Sequence, residues 1–212
     1  MRTGSSAVVI SLALLWSASA VGVPKLRFPA EDPQGALFAG PVYHVDHDPA
    51  KGLLPVFCIN YRGDGFPGCY DGHRGSDYLL AGGFATMDAH DVPVVAAAAG
   101  VVTRAVDGNY DRCHFELDLS FEPSCDGHPM KANEVEITHA DGSRARYLHL
   151  KKGSVKVAAG QSVTCGQLLG YVGSSGISMA PHLHFEVLDS AGKVVDPYSG
   201  KHNPIASLWV SQ

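Results

Sequence analysis

The chain has 212 residues, 45% of them hydrophobic and 17% charged, which excludes global disorder and allows one well-cored domain with extensions. A formal net charge of −5 and the lack of a long basic run exclude the electrostatic pattern of a nucleic-acid-binding protein. The 24 glycines and 13 prolines lie between short apolar runs, which favours many strands and tight turns. We therefore predict a β-rich fold.

The N-terminus has the features of a secretory signal peptide. Arg2 precedes an apolar run over residues 7–16, and the small residues Ala18-Ser19-Ala20 follow it. We predict that residues 1–20 are a signal peptide cleaved near Ala20. The run is too short to span a bilayer, and no later segment has the length needed. The protein is therefore expected to be exported, to the periplasm or the extracellular space, without a membrane span.

Residues 21–60 are dotted with prolines that interrupt any long helix or strand, so we predict an N-terminal extension or pro-segment. His44 and His47 lie here beside Asp46 and Asp48. Such a cluster can contact a metal, but this composition is more typical of a solvated turn, and we interpret it as one.

Export makes the five cysteines interpretable, because an oxidising compartment allows disulfides. Pairing of near neighbours gives Cys58–Cys69 and Cys113–Cys125 and leaves Cys165 unpaired. Four paired cysteines admit three connectivities, so the other pairings stay open. A zinc-thiolate site would need C-x2–4-C spacing, which does not occur.

The next informative segment is residues 70–78, where His73 and Asp77 are four positions apart. A fully extended strand would separate them by about 13 Å, which is too far for one metal ion with bonds of about 2 Å. The chain must therefore bend between them, and Gly75 tolerates the backbone angles of a bulge or turn.

Residues 92–103 predict two apolar strands hinged at Gly100, because valines, Pro93 and Gly100 outweigh the helix propensity of the alanines. Residues 107–130 are polar and resemble a stapled insertion in a hairpin, with His114 and His128 on its surface.

Two alternating strands follow, over residues 134–139 and 146–150, joined by a hairpin turn at Asp141-Gly142. In the second strand Tyr147 and His149 are predicted to share a face opposite Leu148 and Leu150. Residues 155–163 and 166–170 predict further short strands.

The segment Pro181-His182-Leu183-His184-Phe185-Glu186 also alternates, so both histidines are expected on the polar face of a strand. Imidazoles at i and i+2 lie roughly 7 Å apart, which suits one metal ligand and one nearby acid or base. An isolated H-x-H is more often a pair of structural histidines, so this motif needs partners.

The candidate partners are available elsewhere in the chain. A catalytic zinc takes three protein ligands and keeps a position for water, and His73, Asp77 and one histidine of the pair supply that number. Zinc lowers the pKa of its water from 15.7 towards ~7, so no serine or cysteine nucleophile is required. His149 and the remaining histidine of the pair are left for proton transfer and oxyanion stabilisation.

Three ordered motifs resemble the lysostaphin-type, LytM-like zinc metallopeptidases that cut peptidoglycan: H-R-G-S-D at 73–77, Y-L-H-L at 147–150, and G-S-S-G with P-H-L-H-F-E between 173 and 186. The resemblance covers residues 61–198. It implies an all-β, mostly antiparallel fold with short irregular or helical extensions, and a metallopeptidase domain over residues 61–200 followed by a tail at 201–212.

The resemblance also assigns roles. It implies one Zn²⁺ per chain held by the metal ligands His73, Asp77 and His184, with His149 and His182 as the catalytic histidines. The implied substrate is a peptide bond in peptidoglycan stem peptides or cross-bridges, cut by a secreted zinc endopeptidase that we expect to be a monomer.

Two alternatives remain. A non-catalytic LytM-like regulator of another cell-wall hydrolase would have lost metal ligands, and none is lost here. A lipoyl-like or biotinyl-like carrier would need a modifiable lysine at a hairpin tip, where this chain lacks a clear one. The insertion at 107–130 departs from the short form of the family. From position alone, His44 or Asn60 could supply a fourth ligand that holds the enzyme latent.

Overall fold

The computed structural model describes residues 23–47, 68, 70–116, 122–200, 203–204 and 206–210. The predicted signal peptide, the Cys58–Cys69 pair and Asn60 lie outside these residues. No helix in the described ranges is both long and apolar enough to cross a bilayer.

The described chain contains ten strands and one short helix. In chain order they are β1 (Ser76–Leu79), α1 (Phe84–Ala89), β2 (Pro93–Val95), β3 (Gly100–Val106), β4 (His114–Phe115), β5 (Pro123–Ser124), β6 (Glu134–Thr138), β7 (Arg144–Leu148), β8 (Ser162–Val163), β9 (Leu168–Tyr171) and β10 (His182–Leu188).

Six strands form one sheet in the order β1-β10-β7-β6-β3-β8, and every pairing within it is antiparallel. Two further antiparallel pairs, β2 with β9 and β4 with β5, form separate two-stranded sheets. The predicted all-β, mostly antiparallel fold is therefore confirmed. Residues 92–103 form two strands as predicted, but β2 ends at Val95 and β3 begins at Gly100, so residues 96–99 belong to neither strand.

The core lies on one face of this sheet, where β10 contributes Leu183, Phe185 and Val187, each no more than 1% exposed. Ile137 of β6 and Tyr147 of β7 belong to the same cluster. Since side chains alternate along a strand, the opposite face of β10 carries the polar residues, as predicted.

The face predicted for His149 is wrong. β7 ends at Leu148, and His149 has a φ of 64°, a left-handed conformation that side chains rarely adopt. This reversal interrupts the alternation, so that Tyr147 and Leu150 both join the core. His149 therefore does not share the face of Tyr147.

Residues 23–47 pack against the domain along their length. They form isolated bridges to Trp209, Val94, Leu80 and Asp77, at Leu26, Ala30, Leu37 and Tyr43 respectively. The interpretation of the histidine cluster as a solvated turn is wrong, because His44 and His47 are only partly exposed. His47 Nε2 lies 2.8 Å from Asp196 Oδ2, and the His44 ring packs edge-on to Tyr198.

The predicted insertion is a hairpin formed by β4 and β5 and closed by the confirmed Cys113–Cys125 disulfide. Cys165 is unpaired, as predicted, and it is exposed.

The polar face of the sheet carries a ladder of ion pairs across neighbouring strands. Glu186 is 1% exposed and accepts hydrogen bonds from Arg74 Nε at 2.7 Å and Arg146 Nη1 at 2.9 Å. Arg146 also donates to Glu134, which pairs in turn with Arg104. Each buried carboxylate is thus neutralised by arginines from an adjacent strand or loop, as a buried charge requires.

We expect Glu186→Ala to lower the free energy of unfolding by about 2 kcal/mol, because it leaves the half-buried Arg146 guanidinium short of a partner. Glu31→Ala is the matched control, since Glu31 forms an exposed i,i+4 pair with Arg27 and should change the same quantity by less than about 0.5 kcal/mol. Urea unfolding measures both. Equal losses in the two variants would show that burial of the ladder contributes nothing.

Candidate metal centre

The centre is built on the pairing of two strands. In the register of β1 with β10, Asp77 lies directly opposite His184. Cross-strand neighbours on one face have side chains in contact, and His184 Nδ1 lies 2.8 Å from Asp77 Oδ1. Two residues 107 positions apart are thereby held on a rigid support.

His73 reaches the same point through a turn that precedes β1. The His73 N–H donates to the Tyr70 carbonyl at 2.9 Å, and the chain bends again at Gly75. The predicted bend is confirmed, but glycine is required there for lack of space and not for its backbone angles. Gly75 does not adopt a left-handed φ, whereas a Cβ there would lie 2.6 Å from Phe185 O and 2.7 Å from His184 Nε2. Only glycine allows this approach.

The three side chains present a compact set of donor atoms. His73 Nε2 lies 3.2 Å from both Asp77 Oδ1 and His184 Nδ1, and the latter two are 2.8 Å apart. Tetrahedral zinc with bonds of 2.0–2.1 Å separates its ligand atoms by about 3.3 Å, so the triangle fits such an ion. In the described residues this is the one group of three or more histidine, cysteine or acidic residues with metal-ligand spacing.

A backbone acceptor sets the tautomer of His73. Its Nδ1 lies 2.6 Å from the His44 carbonyl, which can only accept, so Nδ1 carries the proton and Nε2 offers its lone pair to the centre. Tyr70 stacks on the other side of the ring, with centroids 4.3 Å apart. His44 thus supports the centre through its carbonyl, and its ring is not among the clustered ligands.

The charge of the centre favours the binding of a cation. Asp77 is buried, which raises the pKa of its carboxyl, but His182, His184 and His73 outweigh burial and hold that pKa well below its ordinary value. Asp77 is therefore ionised at neutral pH and supplies a negative charge to the centre.

His149 and His182 lie next to this triangle. Their ring centroids are 4.5 Å apart, and His182 Nε2 lies 3.6 Å from Asp77 Oδ1. His149 Nδ1 donates to the Ser175 carbonyl at 2.6 Å and His182 Nδ1 to the Ala180 carbonyl at 2.7 Å. The neutral rings therefore expose an unprotonated Nε2.

Burial lowers the pKa of both rings. For His149 the pKa lies well below its ordinary value because of burial and then the neighbouring His182 and His184, whereas for His182 burial is opposed in part by Asp77. Both imidazoles are therefore neutral near pH 7, which is the state that can take up a proton.

All five residues predicted for the site are thus brought together, and His184 is the member of the pair that joins the triangle. No sequence pattern predicted three supporting groups, the carbonyls of His44, Ser175 and Ala180. Backbone acceptors are common to every residue, so side-chain identity could not reveal them. The alternation of residues 146–150 likewise did not predict the left-handed φ of His149, although strained backbone is often found at functional sites.

Several known proteins are similar in sequence to parts of this chain. The chain is 49% identical over 55 residues to glycyl-glycine endopeptidase ALE-1 of Staphylococcus capitis. The aligned segment covers 26% of this chain and 15% of the relative. The chain is 43% identical over 61 residues to peptidoglycan DD-endopeptidase ShyA of Vibrio cholerae, covering 29% and 14% respectively. The matches thus span a small part of the length of either relative.

A chain from the structure of the SpoIIQ–SpoIIIAH pore-forming complex has the same fold, with a TM-score of 0.52 and 23% identity over 82% of this chain and 89% of that one. The sequence profile of peptidase family M23 matches residues 73–197, which is more than half of the chain and includes all five site residues. The chain therefore belongs to peptidase family M23.

Proposed function

We propose that the protein is an exported zinc metalloendopeptidase that hydrolyses peptide bonds in peptidoglycan stem peptides or cross-bridges. Membership of family M23, with its peptidoglycan endopeptidases, supports a cell-wall hydrolase role. The observation that carries the finer proposal is the triangle of His73 Nε2, Asp77 Oδ1 and His184 Nδ1 with two neutral imidazoles beside it.

His73, Asp77 and His184 would hold one zinc ion per chain. When bound, zinc supplies Lewis-acid polarisation and activation of water, so the peptide bond can be attacked without a protein nucleophile. The carboxylate of Asp77 lowers the net charge of the centre, and the His44 carbonyl keeps the His73 lone pair directed at it.

His149 and His182 would move the protons. Each ring has its Nδ1–H committed to a carbonyl, so its Nε2 can accept a proton from attacking water and later donate it to the leaving amine. Because the rings are side by side, the imidazole that has taken up the proton of the attacking water can donate from Nε2–H to the developing oxyanion, while its neighbour stays neutral.

The proposal extends to the setting of the enzyme. Residues 1–20 would direct export and be removed near Ala20, residues 21–60 would form the extension, residues 61–200 the peptidase domain and 201–212 the tail of a monomer. The relatives' names include a glycyl-glycine endopeptidase and a DD-endopeptidase, so both cross-bridges and stem peptides are reasonable substrates. The complete ligand set argues against the non-catalytic regulator.

Alanine variants distinguish the proposed metal ligands from the proposed catalytic histidines. We expect His73→Ala, Asp77→Ala and His184→Ala to lose zinc and activity together, because each removes a ligand. His149→Ala and His182→Ala should retain zinc while turnover falls by at least about 100-fold. Elemental analysis and hydrolysis assays measure these effects, and equal zinc content in all five variants would contradict the assigned roles.

Digestion of purified peptidoglycan sacculi tests the substrate. The wild-type protein should release peptide-linked fragments whose masses identify the cut bond. A chelator should abolish their release and added Zn²⁺ should restore it, since the bound metal activates the water. His149→Ala is the control for contaminating hydrolases. Release that persists with this variant or with chelator would argue against zinc-dependent hydrolysis by this site.

Gly75→Ala tests the steric basis of the triangle. Its Cβ would collide with Phe185 O and His184 Nε2, so we expect zinc affinity to fall by at least about tenfold through displacement of the ligand. Gly200→Ala is the matched control, because no atom lies within 4 Å of its added Cβ and its φ is not left-handed. Chelator competition measures both affinities, and unchanged affinity in Gly75→Ala would refute the steric argument.

A further inference from the structure

We propose that the disulfide-closed hairpin of β4 and β5 is a positioning element for His149 and His182. This inference rests on the proposed function, since it concerns the same two histidines. The hairpin acts through the segment 173–181, here called the site loop, which joins β9 to β10. The site loop provides both backbone acceptors, the Ser175 carbonyl for His149 Nδ1 and the Ala180 carbonyl for His182 Nδ1. Its position therefore sets the orientation of both rings.

The hairpin holds the site loop by reciprocal hydrogen bonds. The Cys113 N–H donates to the Ser174 carbonyl at 2.9 Å, and Ser174 Oγ donates to the Cys113 carbonyl at 2.6 Å. Farther along, the Phe115 N–H donates to the Met179 carbonyl at 3.0 Å. The site loop is thus held near one end by Cys113, which precedes β4, and near the other end by Phe115 of β4.

The second cysteine contacts the middle of the same loop, because Cys125 Sγ lies 3.3 Å from the Gly176 carbonyl oxygen. Both cysteines are almost completely buried. Strands β4 and β5 have two residues each, and so short a hairpin is marginally stable in isolation. The cross-link restricts the open chain and keeps both strands against the site loop.

A chain of buried hydroxyl groups connects the hairpin directly to one histidine. Ser174 Oγ, which donates to Cys113, lies 2.8 Å from Ser178 Oγ. Ser178 Oγ in turn lies 3.3 Å from His182 Nδ1. Ser174 and Ser178 are at most 1% exposed, so water does not compete freely for these contacts.

The clustered ligands depend on other parts of the fold. Asp77 and His184 are held by the register of β1 with β10, and His73 by the His44 carbonyl. Opening the hairpin should therefore misplace the histidines that move protons while leaving metal binding intact. A positioning element predicts this separation, whereas a general stabiliser of the fold would weaken both.

The test compares Cys113→Ala/Cys125→Ala with Cys165→Ala, which removes an unpaired, exposed thiol far in sequence from the hairpin. NMR of the imidazole N–H groups reports the Nδ1–H bonds of His149 and His182. In the double variant we expect these two signals to shift and to exchange with water at least about tenfold faster, and kcat to fall by about tenfold or more with a smaller change in KM. The Zn²⁺ dissociation constant from chelator competition should stay within about threefold of wild type. Cys165→Ala should match wild type in all of these.

Unchanged Nδ1–H signals in a double variant that retains zinc would overturn the proposal, as would parallel losses of zinc affinity and kcat in a folded variant. If the double variant does not fold, Ser174→Ala decides, because it keeps the disulfide and removes the hydroxyl between Cys113 and Ser178. Its His182 signal should shift while zinc affinity is kept, and an unshifted signal overturns the proposal. The NMR and zinc measurements need no turnover, so a wild-type protein inactive on peptidoglycan would refute the proposed function separately.

Discussion

The antiparallel pairing of β1 with β10 is the constraint on which the site depends. It places Asp77 opposite His184 and brings their side-chain atoms to 2.8 Å, on the edge of a sheet whose other face is the core. A slip of one residue would move Asp77 to the opposite face, so the packing that fixes the register also assembles the centre. Leu183 and Phe185, which flank His184, hold that register by burial on the other face.

Backbone carbonyls orient three of the histidine rings at the site. His73, His149 and His182 each direct Nδ1–H at a carbonyl, from His44, Ser175 and Ala180 respectively. In each ring this leaves the Nε2 lone pair free, so the same kind of backbone contact orients the proposed ligand His73 and the two proposed catalytic histidines. The carbonyls come from different segments, the N-terminal extension and the site loop. The extension and the loop are therefore parts of the site, although no side chain in them need be a ligand.

Much of this organisation is local in the sequence. Alternation along residues 182–188 predicted both the core face and the polar face of β10, and residue spacing predicted the Cys113–Cys125 bond. The ordered motifs also predicted the family and the five residues that converge. The alternation failed at His149, because a left-handed residue reverses the pattern and the identity of a histidine does not report its φ.

The sequence by itself thus determined the β-rich fold, the family and the candidate ligands, since periodicity and residue chemistry are carried by side-chain identity. Only the tertiary structure showed why position 75 needs glycine, because Phe185 and His184 approach it too closely across the sheet for a Cβ to fit. It also decided the packing of residues 23–47 and the contact of the hairpin with the site loop. These features rest on backbone groups of residues distant in sequence, and backbone groups are alike at almost every position, so no pattern of side chains specifies their partners.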